Sequence, residues 1–158
     1  MQVTIGTRAE YLEALRALIA EAADLGAGEL FLCDPDFADW PLNEPAVIDH
    51  LMRWAAPHRR IALIAQHYDE VVRRHPRFVQ WRQVWGHLVD ARIPEDTEAS
   101  DLPTLLLVPE VASLRLLDRR HWRAVISRDG AQMHLCRDEL DAISQRSHPG
   151  FAARPLGL

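Results

Sequence analysis

Apolar and polar positions follow two periods along this chain, and the change of period divides it. Tyr11, Leu12, Leu15, Leu18, Ile19 and Ala22 recur at helical spacing, which predicts an amphipathic helix ending near Asp24. Thr7 and Glu10 have the spacing of a capping box at its start, and Gly26 and Gly28 stop it. Val3–Ile5 before it reads as a short edge strand. Leu30–Cys33 and Ile61–Ala65 are continuous apolar runs, the pattern of strands buried on both faces of a sheet. Between them, Val47, Ile48, Leu51, Met52 and Ala55 mark a helix from Glu44 to about Ala56, which Pro57 stops. Strand, helix and strand in this order predict parallel strands joined by a right-handed crossover.

Asp69–His75 is predicted helical, Pro76 interrupts, and Arg77–Leu88 continues with Phe78, Trp81, Trp85 and Leu88 on one side. Val89–Ile93 reads as a third strand and Pro94–Leu102 as an acidic loop. From Thr104 the period shortens. Thr104–Val108, Ser113–Leu117, Trp122–Ser127 and Ala131–Cys136 read as consecutive strands, with an Asp-Gly hairpin signal in Arg128–Gly130. A final helix over Arg137–Arg146 turns Leu140 and Ile143 inward. The tail HPGFAARPLGL reads as an extended segment packed on the domain or on a partner chain. The pattern predicts an α/β fold in one domain, 1–158. Its mixed sheet has N-terminal parallel βαβ units flanked by helices and a C-terminal antiparallel hairpin region.

The length of 158 residues suits one domain, and 48% apolar residues supply a core, which excludes a disordered chain. A net charge of −5 argues against general nucleic-acid binding, where a basic face supplies most of the affinity. It leaves a local basic patch open. No apolar run approaches the roughly 18 residues of a membrane-spanning helix. The start, MQVTIGTRAEY, lacks the basic-then-apolar pattern of a secretory signal. Both observations fit a cytoplasmic protein with no membrane partner. Cys33 and Cys136 form no disulfide or metal framework. All 18 Lys and Arg positions are arginine. That excludes a P-loop lysine and lysine Schiff-base chemistry, and leaves groups that clamp anions but serve poorly as bases.

The stretch Leu30–Val47, LFLCDPDFADWPLNEPAV, holds the densest chemistry. In open α/β sheets ligands sit beyond the carboxyl ends of the strands. Asp34, Asp36 and Asp39 fall there, in a loop stiffened by Pro35 and Pro41. Trp40 reads as a cover for the core edge. Asn43 reads as the cap of the following helix, with Leu42 and Val47 spaced as a hydrophobic staple. His67 and Asp69 lie at the end of the next strand and would face this loop if the two strands are neighbours. The same aspartates also suit simple turn capping, and His67 and Asp69 suit the start of a helix.

With strand, helix, strand, helix, strand and hairpins laid out, the order resembles one half of the phospholipase D-like fold. The resemblance covers about residues 29–136. Leu30–Ala65 is similar to that family's opening, with Ala46-Val47-Ile48-x-x-Leu51 as its helix. The family's signature is His-x-Lys-x4-Asp, in which the histidine attacks phosphorus and the lysine holds the phosphate. With Asp118 in the aspartate place, Val111 and Ser113 stand in the histidine and lysine places, and Ser127 matches a small residue of the next strand. His121-x-Arg123 is a second register, with Asp129 one place late. Neither register carries both nucleophile and clamp. The phrase DPDFADWPLNEPAVI and the closing PLGL also resemble a family of uncharacterised proteobacterial domains, distantly phospholipase D-like.

Three functions follow as expectations. The foremost is a non-catalytic domain that binds a protein or small ligand without a cofactor, as a homodimer, with Asp34, Asp36, Asp39, Trp40, Asn43, His67, Asp69 and Asp118 as candidate contacts. The second is a phosphoester hydrolase in which Asp34 and Asp36 hold magnesium or manganese. An apolar strand ending Asp-x-Asp also resembles haloacid-dehalogenase-type phosphatases, although Ala38 stands where a threonine or valine is expected. The third is anion or nucleic-acid binding through Arg119, Arg120 and Arg123, or through Arg73, Arg74, Arg77 and Arg82.

Overall fold

The computed structural model describes residues 2–151. The strands are β1 (Gln2–Ile5), β2 (Glu29–Cys33), β3 (Arg60–Ile64), β4 (Val89–Pro94), β5 (Thr104–Val108), β6 (Ala112–Asp118), β7 (Arg123–Ser127) and β8 (Ser147–Pro149). The helices are α1 (Arg8–Leu25), α2 (Pro45–Trp54), α3 (Asp69–Arg74), α4 (Pro76–Val84) and α5 (Gly130–Gln145). The strands form one sheet in the order β1-β7-β6-β5-β2-β3-β4-β8. β2, β3 and β4 are parallel, and every other pairing is antiparallel.

The continuous apolar runs have the expected cause. Leu30, Leu32, Ile61, Leu63, Leu106 and Val108 face a core built with α1 to α4. Phe31, Cys33, Ala62, Ile64, Leu105 and Leu107 face the other way, onto Met133, Cys136 and Leu140 of α5. Thr7 caps α1 by accepting the Glu10 N–H at 3.1 Å. Gly26 ends it in the left-handed region at φ 66°, where a side chain would be strained.

Three local expectations are corrected. Ala131–Cys136 is the first half of α5 and not a strand. Asp129 caps it by accepting the Gln132 N–H, and Met133, Cys136 and Leu140 recur at helical spacing on its buried side. Asn43 does not cap α2. Glu44 holds the cap position without a side-chain bond, so the Leu42–Val47 staple is one residue out of register. The run after Pro76 ends as α-helix at Val84 and closes through a separate turn, Gly86–Leu88. Among the described residues, no helix is long and apolar enough to cross a membrane.

Candidate functional site

Asp34 follows the last residue of β2 and is 1% exposed. Its Oδ2 accepts the backbone N–H groups of Asp36 at 3.1 Å and Phe37 at 2.7 Å. Its Oδ1 accepts the Thr104 hydroxyl at 2.8 Å and an Arg119 guanidinium N–H at 2.9 Å. Thr104 opens β5, and Arg119 lies in the β6–β7 turn. One carboxylate therefore ties three separate segments together. The turn it closes carries Phe37 into the left-handed region at φ 60°, uncommon for a bulky residue. Burial compensates: Phe37 and Trp40 lie in the core, edge to face at 5.1 Å. His75, buried between α3 and α4, donates from Nε2 to the Phe37 carbonyl at 2.8 Å. Burial lowers the His75 pKa from its ordinary value, as suits a neutral ring with one donor nitrogen.

Arg119 also donates to Asp39 at 3.1 Å. Burial works against its charge, but Asp34 and Asp39 outweigh this and raise its pKa. Arg8 approaches Asp39 at 3.9 Å and lies over the Trp122 ring, 5.6 Å from its centre. Trp122 packs on Tyr11, whose hydroxyl burial, with Asp34 nearby, keeps protonated.

Of the predicted contacts, Asp34, Asp39 and Arg119 come together. With four donors on Asp34, a divalent cation there would have to displace Arg119 or Thr104. Asp36 uses Oδ1 to accept the Ala38 N–H at 2.9 Å. The β2 and β3 ends do meet, because Gln66 and His67 donate their N–H groups to the Pro35 carbonyl. The His67 and Asp69 side chains, however, are exposed. Asn43 accepts the Arg77 N–H at 2.9 Å and so caps α4 instead of its own helix. Asp118 closes its turn by accepting the Arg120 and His121 N–H groups, and pairs with the His121 ring at 2.8 Å. Arg120 and Arg123 are exposed.

The Arg73 to Arg82 group is not one patch. Arg73 and Arg74 pair with Glu70, Arg77 binds Asn43, and Arg82 is buried. Thr104 and His75 are buried polar positions that composition and spacing do not single out, and Arg82, read as part of a surface group, is buried with them. The one legible signal is that Phe78, Trp81, Arg82 and Trp85 stand at i, i+3, i+4 and i+7, which puts Arg82 on the inward stripe of α4.

Val111 and Ser113, which the resemblance sets in the histidine and lysine places, lie at the opposite end of the sheet, while Asp118 ends β6 at the Asp34 end. Thr104, beside Asp34, begins β5, whereas Ser113 pairs with Leu107 near its end. Val111 packs against the core, and Ser113 and Ser127 are a buried cross-strand pair. A cavity of about 230 Å³ near this end is lined by Glu110, Met133, His134 and Arg137. Arg137 there is engaged by Glu29 at 3.0 Å.

No family model matches the chain, and no curated protein is similar to it in sequence. Solved structures are similar in fold. TrmBL2, an archaeal chromatin protein whose structure shows a novel mode of DNA binding, aligns with a TM-score of 0.67 at 11% identity. The alignment covers 94% of this chain and 54% of TrmBL2, so the chain spans about half of that protein. NucT from Helicobacter pylori aligns with a TM-score of 0.60 at 6% identity, covering 96% of this chain and 99% of NucT. Nuc from Salmonella typhimurium, a phospholipase D family member, gives 0.53 at 9% identity, covering 87% and 91%. Identities this low speak to architecture alone: the chain has a mixed α/β, phospholipase D-like fold.

Proposed function

We propose that this chain is a binding domain on a phospholipase D-like scaffold, without phosphodiesterase chemistry of its own, that works as a homodimer with a protein or small-molecule ligand. The observation that carries this reading is the pair Val111 and Ser113. Valine cannot attack phosphorus, and a buried serine cannot supply the cationic clamp of a lysine. The Asp34 loop supports it from the other end of the sheet, because its carboxylate is consumed by structural hydrogen bonds.

What supports self-association is the outer edge of β1, which pairs with no strand among the described residues. An unpaired strand edge offers main-chain donors and acceptors to another strand, and antiparallel pairing of a strand with its own copy satisfies a twofold axis. Val3 on that edge is 48% exposed. Beside it, Ile5, Ala9, Ala14, Ala17 and Ile126 line an open apolar groove. Light scattering on the full chain is expected to give a dimer mass, and Val3→Arg a monomer. A wild-type monomer at high concentration contradicts the dimer.

A second reading is nucleic-acid contact through the β6–β7 turn. Exposed Arg120 and Arg123 flank Trp122, which holds φ 52° and carries Arg8 on its face. The likeness to a DNA-binding chromatin protein adds to it. Oligonucleotide affinity that falls steeply with salt and is lost in Arg120→Ala/Arg123→Ala is its signature; undetectable binding at low salt ends it.

A further inference from the structure

Arg82 is the one arginine in the buried polar set of the described residues, at 6% exposure. A guanidinium carries five N–H donors and a permanent charge, and burial of such a group calls for an anion. None of the ion pairs among the described residues includes Arg82. Its Nε is buried without a partner. One terminal N–H group donates to the Phe151 main-chain carbonyl, a neutral acceptor. The guanidinium also lies over the Phe151 ring, 4.5 Å from its centre. The same ring stacks on Tyr68, with ring centres 5.0 Å apart and 4° between planes. Phe151 thus packs on both an aromatic ring and a cation that no carboxylate meets among the described residues.

The segment that delivers Phe151 lies at the edge of the sheet, where the Arg92 guanidinium donates to the Ser147 hydroxyl and carbonyl. β8 is a three-residue strand that, among the described residues, pairs with β4 alone. Gly150 donates its N–H to Ala91 at 2.9 Å, and a Cβ at Gly150 would fall 2.5 Å from Ile93. Phe151 itself holds φ 50°.

We propose that the slot between Tyr68 and Arg82 is a binding site for small aryl carboxylates, and that Ser147–Phe151 is a strap whose Phe151 fills it when no ligand is bound. Phe151 supplies a ring and one neutral oxygen. An aryl carboxylate supplies a ring and two charged oxygens, which match the planar fork of a guanidinium. Hydrocinnamate reproduces the carbonyl-to-ring spacing of a phenylalanine with a carboxylate in the carbonyl place, so it is the probe of choice. In the intact chain the tethered strap competes at an effective concentration on the order of millimolar, so ligand binds more weakly there than in a variant lacking the ring.

The test uses the full chain as wild type, Phe151→Ala and Phe151→Leu, the last retaining more apolar bulk should alanine unfold the strap. Each is titrated with hydrocinnamate and with its neutral amide, read by melting temperature and tryptophan fluorescence. The acid is expected to bind Phe151→Ala saturably, about tenfold or more tighter than the amide, because hydrogen bonds to charged groups are the stronger class. Adding Arg82→Met is expected to abolish that preference. In wild type carrying fluorophenylalanine at position 151, saturating acid is expected to move the fluorine resonance to that of an exposed ring. Equal binding of acid and amide, no binding to either Phe151 variant, a preference that survives Arg82→Met, or an unmoved fluorine signal each overturns the proposal.

Discussion

Asp34 and Asp36 stand two residues apart at the end of one strand, yet they carry different weights. Asp34 is buried and accepts four hydrogen bonds, one from a guanidinium. Arg119 is partly exposed and keeps Asp39, so the cost of Asp34→Ala lies in the Phe37 N–H and Thr104 hydroxyl left without their acceptor. It is expected to be about 1–3 kcal/mol for each buried donor, read by urea titration. Asp36→Asn keeps its oxygen for Ala38 and is expected to stay within about 0.5 kcal/mol of wild type. His75 gives a pH signature. Burial lowers its folded pKa below the ordinary 6.5, so between the two values the unfolded chain binds more protons. Its contribution to stability is complete above 6.5 and is lost as pH falls through that window. The slope is expected to vanish in His75→Phe, measured by denaturation between mildly acidic and neutral pH. The importance of Asp34 was legible, because a strand-end aspartate before proline is a turn-forming signal. Its pairing with Arg119 was not, since 85 residues separate them and no local period encodes the contact.

Among the elements, those with one dominant period were readable. α1, β2, α2 and β3 each carry a clear helical or continuous apolar pattern, β4 alternates apolar and charged residues, and the parallel order of β2 and β3 follows from the helix between them. α5 shows where two rules collide. Asp129-Gly130 satisfies a hairpin turn, and it equally places a capping aspartate before a helix. Only the recurrence of Met133, Cys136 and Leu140, read through to Gln145, separates the two. Asp129→Ala is expected to cost about 1 kcal/mol, the usual value of a lost N-cap, with a loss of helical circular dichroism on heating that begins earlier than in wild type. No such loss would mean that the Gln132 contact contributes nothing. Asn43 illustrates a different limit: its cap serves α4, a helix 34 residues away in register with Arg77, and sequence neighbours cannot reveal that.

At the scale of the molecule, the two ends of the sheet have divided roles. One end is closed by the Asp34–Arg119 tie, and the other carries Val111 and the buried pair Ser113 and Ser127. The scaffold was legible from its periods, and TrmBL2, NucT and Nuc share the fold at 6–11% identity. The ligand was not, because fold and function separate readily. The central claim is that binding remains without phosphodiester cleavage. Its most direct test is hydrolysis of bis-nitrophenyl phosphate and of a plasmid by the purified full chain, with and without magnesium or manganese. The rate is expected to equal the protein-free blank under every condition. Turnover above the blank that disappears in His134→Ala, His121→Ala or Asp36→Asn would contradict the account and place a working site at the cavity on α5, the β6–β7 turn or the β2 loop respectively.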